Sequence, residues 1–78
     1  MPQLKAPPAK AEWSQAAIGE TAGRVWQYLR RAGKASPADI EREIEPKALA
    51  WTGIGWLARE GKLAFGQDGR TTTIRLSE

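Results

Sequence analysis

From Ile18 onward, apolar side chains return at spacings of three and four. Ile18, Ala22, Val25, Leu29 and Ala32 form a stripe, and Glu20, Arg24, Gln27, Arg30 and Arg31 occupy the other side. This period predicts a first helix. Trp26 and Tyr28 flank the stripe on opposite margins and are expected in the core, while Gly33 supplies a stop before a short extended link, Lys34-Ala35. Ser36-Pro37-Ala38-Asp39 then reads as a helix start: a Ser N-cap, a proline whose missing N–H costs nothing in the first turn, and an acid near the positive helix end. The short second helix carries Ile40 and Ile44 and ends before Pro46, which disfavours helical geometry at Glu45. Pro46 is expected to open a third helix that runs to about Glu60 and stops at Gly61.

Beyond Gly61 the period falls to two. Leu63 and Phe65 alternate, then Thr72, Ile74 and Leu76 alternate, and Asp68-Gly69 between them is a strong hairpin signal. With those two residues as the turn, Phe65 faces Thr72, Leu63 faces Ile74 and Lys62 faces Arg75. Leu63, Phe65, Thr72, Ile74 and Leu76 then share one face; Lys62, Ala64, Thr71, Thr73 and Arg75 share the other.

Composition narrows the function. A chain of 78 residues supports one small domain with one modest core. With no Cys and no His, it can form neither disulfides, Ser-His or Cys-His catalytic pairs, nor the usual zinc sites. No phosphate-binding or dinucleotide glycine pattern occurs, and Asp39, Glu41, Glu43 and Glu45 read as a solvated helix face. A non-enzymatic protein without cofactor or metal is expected. No segment has the roughly 20 apolar residues of a membrane span. The opening MPQLKAPPAK lacks the apolar block of a secretion signal, so a cytoplasmic location is expected. Residues 1–12, rich in Pro, Ala and Lys, are expected to be a flexible basic arm, with the folded domain over residues 13–78. The net charge of +3 permits polyanion binding without requiring it.

The order helix, link, short helix, turn, longer helix, hairpin resembles a winged helix-turn-helix domain, an α+β and mainly α fold. In it the third helix is the recognition helix and the hairpin is the wing. More narrowly, IGETAGRVWQYL at 18–29 and IGWLAREGKLAF at 54–65 resemble a family of very small bacterial winged-helix proteins of largely uncharacterised function. The resemblance implies double-stranded DNA as a partner and a transcription-related role.

With Leu57 pointing inward, the third helix should bury Ala50, Gly53 and Ile54 and expose Ala48, Trp51, Thr52, Gly55 and Arg59. Lys47, Trp51, Thr52 and Arg59, with Lys62, Arg70 and Arg75 of the hairpin, are the candidate DNA contacts. That helix face is poor in hydrogen-bonding groups, and the neighbouring second helix is net negative. An alternative reading is therefore a protein-interaction or homodimerisation module. Trp51, Trp56 and Trp13 are its candidate contact residues, although Trp56 is also placed for core packing beside the first helix.

Overall fold

The computed structural model describes residues 13–77, so the expected arm at residues 1–12 lies outside the described residues. Three helices are followed by a hairpin: α1 (Gln15–Ala32), α2 (Pro37–Glu43), α3 (Lys47–Arg59), β1 (Leu63–Asp68) and β2 (Thr71–Leu76).

Helix α1 starts three residues ahead of the apolar stripe because the Ser14 hydroxyl accepts the Ala17 N–H at 3.0 Å, a side-chain cap that the stripe does not reveal. Ala22, Val25 and Leu29 are buried, and Ile18 is half-buried. Thr21 is also buried, its hydroxyl donating to the Ala17 carbonyl at 2.8 Å, so that hydroxyl is satisfied within the helix. Ala32, expected in the stripe, is exposed, since it is the last residue of α1 and Gly33 turns the chain away there. Trp26 and Tyr28 pack half-buried against the core, as expected.

The Lys34-Ala35 link does more than connect. Ala35 donates to the Ile74 carbonyl at 2.9 Å and accepts the Ile74 N–H at 2.8 Å, tying the chain between α1 and α2 to β2, which thus lies between Ala35 and β1. Helix α2 begins with a reciprocal cap, the Ser36 hydroxyl accepting from the Asp39 N–H and the Asp39 carboxylate from the Ser36 N–H, each at 3.1 Å. Ile40 and Ile44 drive its inner side into the core. Pro46, expected as the first residue of α3, instead occupies the N-cap position in extended geometry, so the helix starts at Lys47.

The end of α3 is closed by its backbone. Gly61, at φ 74°, donates to the Ala58 carbonyl at 3.0 Å, and Lys62 donates to the Leu57 carbonyl at 2.9 Å. This pair of bonds satisfies carbonyls that would otherwise be orphaned and needs a left-handed residue where the glycine stands. The Ser77 hydroxyl donates to the Gly61 carbonyl at 2.9 Å, and the Ser77 N–H to the Lys62 carbonyl at 3.0 Å, so the root of the hairpin is fixed to the helix end.

The hairpin forms in a register shifted by two residues from the expected one. Leu63 pairs with Leu76, Phe65 with Ile74 and Asp68 with Thr71, leaving Gly69-Arg70 as the turn. Only Gly69 takes a positive φ, 68°, whereas a turn on Asp68-Gly69 would require a side-chain-bearing residue there as well. A slip of two preserves the alternation, which is why the apolar pattern fits both registers. Leu63 and Ile74 are buried, but Phe65, directly opposite Ile74, is 56 % exposed because β1 is the outer strand, and Thr72 is exposed toward the tip.

Val25, Leu29, Ile40, Ala50, Ile54, Leu57 and Ile74 form the centre of the core. As expected, α3 buries Ala50, Gly53, Ile54 and Leu57; it also buries Leu49. A methyl group built on Gly53 would lie 3.1 Å from the Ala22 nitrogen and 3.2 Å from its Cα, so α1 and α3 meet backbone to backbone. By contrast, Gly55 has open space around its Cα. Two substitutions of the same kind should therefore act oppositely in thermal unfolding. Gly53→Ala should lower stability despite its better helix propensity. Gly55→Ala should raise it by roughly 0.5–1 kcal/mol.

Candidate nucleic-acid interface

The side of α3 turned away from α1 is uncovered. Lys47, Ala48, Trp51, Gly55 and Arg59 are exposed on it, in agreement with the helical wheel for the last four. Thr52 is half-buried, and its hydroxyl donates to the Leu49 carbonyl at 2.7 Å, so its only donor is engaged within the helix. Lys47 and Arg59 stand at the two ends, about 18 Å apart along the axis. Between them the face is made of Ala48, Trp51 and Gly55.

Trp51 is 45 % exposed, and its indole N–H donates to the Glu41 carboxylate of α2. Sequence reasoning missed this partner; only the packing of α2 against α3 brings together residues ten apart. Trp56 is half-buried, its ring 3.5 Å from where a Gly19 side chain would begin, and it lines a groove of about 390 Å³ with Trp26 and Gly23. It packs against the core and anchors α3 to α1. Trp13 is 61 % exposed just ahead of the Ser14 cap.

The three hairpin cations do not share one face. Lys62 precedes β1 and its ammonium lies 3.4 Å from the Glu60 carboxylate, and Arg70 is in the turn. Arg75 is opposite Ala64, not Lys62 as the expected register had it, so the like-charge pair across the strands does not exist. It lines a cleft of about 270 Å³ with Arg30 and Gly33 at the end of α1.

With this geometry in view, residues 12–76 match the model of a family described as a winged helix-turn-helix domain, DUF2582. The chain belongs to this family. The winged-helix chain is also similar to an uncharacterised protein of Methanocaldococcus jannaschii, with 35% identity over 63 residues covering 76% of this chain and 89% of the relative. No solved structure matches. In winged-helix terms, α3 is the recognition helix and β1–β2 the wing. Among the described residues, no helix is long and apolar enough to cross a membrane, and no three His, Cys, Asp or Glu side chains gather as metal ligands.

Charge is distributed unevenly around α3. Of the acids of helix α2, Glu41 reaches Trp51 of α3, whereas Glu43 lines a cleft with Arg24 and Arg31 of α1, and Glu45 follows in the turn, its carbonyl accepting from the Arg24 guanidinium at 2.9 Å. Asp39 is drawn into the cap: the Ser36 N–H first, then the Ser36 side chain and the Arg42 guanidinium, hold its carboxyl below the usual carboxylate value of 3.8. The ionised form is therefore favoured in the folded state, and its stabilising effect is full above the unfolded value and lost as pH falls through the folded one. Ser36→Ala should cost about 1 kcal/mol near neutral pH. Thermal melts of the parent and Asp39→Ala should differ near neutrality and converge as the pH drops below 3.8.

Proposed function

We propose that this protein is a non-enzymatic nucleic-acid-binding winged helix that holds duplex DNA mainly through its phosphates, in a transcription-related role. The observation that carries the reading is the uncovered face of α3, beside a wing with Arg70 at its tip, in a chain of this family. Lys47, Trp51, Thr52 and Arg59 would face the groove, and Lys62, Arg70 and Arg75 would meet the backbone. Bidentate base reading requires Arg, Lys, Asn or Gln along the helix. Here the exposed donors stand only at the helix ends, so binding with little sequence preference follows. The acidic α2 weakens phosphate attraction on this side, which fits modest affinity.

A second reading has its own observation: Trp51 stands 45 % exposed between Ala48 and Gly55, a flat aromatic-and-small surface of the kind that suits association with a second copy or another protein. Trp13 and Trp56 are the other aromatics considered for such contact, and the half-buried Trp56 is less available for it.

One set of measurements separates the two. Titration of a mixed-sequence duplex at low and moderate salt should show binding that weakens with salt. Lys47→Gln with Arg70→Gln should reduce the log–log salt slope by about 0.9 for each phosphate that the variant no longer neutralises. No binding at low salt would remove the DNA reading. Light scattering that gives a dimer mass in the parent and a monomer mass for Trp51→Ala would favour the second.

A further inference from the structure

The strongest concentration of positive charge is not on the recognition side. Along α1, Arg24, Arg30, Arg31 and Lys34 at the helix exit are exposed, and Glu20 is the one acid of that helix. Arg75 joins them through the cleft it shares with Arg30, whose lining contains no carboxylate. Among the described residues, none of these five cations makes an ion pair; the pairs that occur are Arg42 with Asp39 and Lys62 with Glu60. Residues 36–60, by comparison, carry Arg42, Lys47 and Arg59 against Asp39, Glu41, Glu43, Glu45 and Glu60. The buried sides of α1 and α3 face each other, as the contact of Gly53 with Ala22 shows, so the outward faces of the two helices point in opposite directions.

Two of the arginines are steadied without being neutralised. The Arg30 guanidinium sits 5.3 Å from the Trp26 ring centre and that of Arg31 sits 5.9 Å from Tyr28. Such contacts orient a cation and leave its charge available. Arg24 to Arg31 spans about 10 Å of helix, a length over which one duplex strand carries about three phosphate charges. Crowding unpaired cations on one surface costs free energy in the isolated protein, and a polyanion relieves that cost.

We propose that the outward face of α1, together with Arg75, is a second polyanion-binding surface whose partner is the phosphate backbone of duplex DNA. The inference rests on the nucleic-acid reading above and adds a face which that reading does not use, reassigning Arg75 from the wing to this face. The chemistry of the face favours nucleic acid over an acidic protein. Gly23 and Gln27 lie among the cations, and the two aromatics there, Trp26 and Tyr28, are half-buried with Arg30 and Arg31 over their rings, whereas protein interfaces concentrate aromatics and deplete charge at their centres. Guanidinium groups in series match phosphates instead.

The test compares the full chain with a variant carrying Arg24→Gln, Arg30→Gln, Arg31→Gln and Lys34→Gln, all outside the contacts proposed for α3 and the wing. A mixed-sequence duplex is titrated at low and moderate salt, and circular dichroism confirms the fold. The expected result is binding weakened about tenfold or more at low salt, with a salt slope lower by about 0.9 for each phosphate left without its cation. If the fourfold variant does not fold, the exposed pair Arg31→Gln with Lys34→Gln decides by the same readout. A folded variant that binds duplex with the parent's affinity and slope overturns the second surface alone. So does a variant whose affinity falls for poly-glutamate but not for duplex. A parent that binds no duplex at low salt overturns the nucleic-acid reading itself.

Discussion

Where α1 and α3 come closest, no room remains for a side chain. Gly53 brings the backbone of α3 against Thr21 and Ala22 of α1, and this approach sets the separation of the two helices that carry most of the core. Because the helices touch at this point, Val25, Leu29, Ile54 and Leu57 can interlock around it, and Trp56 can lie over Gly19. A wider spacing would leave space that these side chains do not fill. The same contact determines orientation: with one side of α3 pressed on α1, the opposite side, from Lys47 through Trp51 to Arg59, is left facing outward.

The remaining elements are hung from that pair. Ala35 ties the exit of α1 to Ile74, and the bonds of Gly61, Lys62 and Ser77 lock the end of α3 to both strands of the hairpin. These bonds, between backbone groups except for the Ser77 hydroxyl, close a small domain without cysteines, in which each buried apolar group counts for more than in a large core. The wing is consequently firm at its root and free of the core at its tip, where Arg70 is exposed.

Much of this was legible in the residues. The periodicity of α1, the Ser36-Pro37-Ala38-Asp39 start, the inward side of α3 and the existence of the hairpin all follow from local rules, because each is set by neighbours within a turn or two. The register of the hairpin was not legible, since Asp68-Gly69 and Gly69-Arg70 both place Leu63 and Ile74 on one face, and turn chemistry favours Asp-Gly while the chain turns at Gly69-Arg70. Phe65 illustrates the same limit: alternation gives the face of the strand, whereas its exposure opposite the buried Ile74 depends on β1 being the outer strand. Of the candidate site, the exposure of Trp51 could be read from the helical wheel, but its bond to Glu41 and the meeting of Arg75 with Arg30 depend on tertiary placement. The charge imbalance was written in the sequence as acidic 39–45 and basic 24–34, but that the two stretches meet, Glu43 lining a cleft with Arg24 and Arg31 and the Glu45 carbonyl accepting from Arg24, was known only from the packing.

Both functional surfaces depend on the helix pair holding as a unit, so the most direct test of the account is native-state amide hydrogen exchange on the free protein. The slowest amides should fall together, from Ala22 to Leu29 in α1 and from Ala50 to Leu57 in α3, with the turn around Gly69 exchanging far sooner. Slow exchange centred on the hairpin, with α3 opening well ahead of α1, would contradict it.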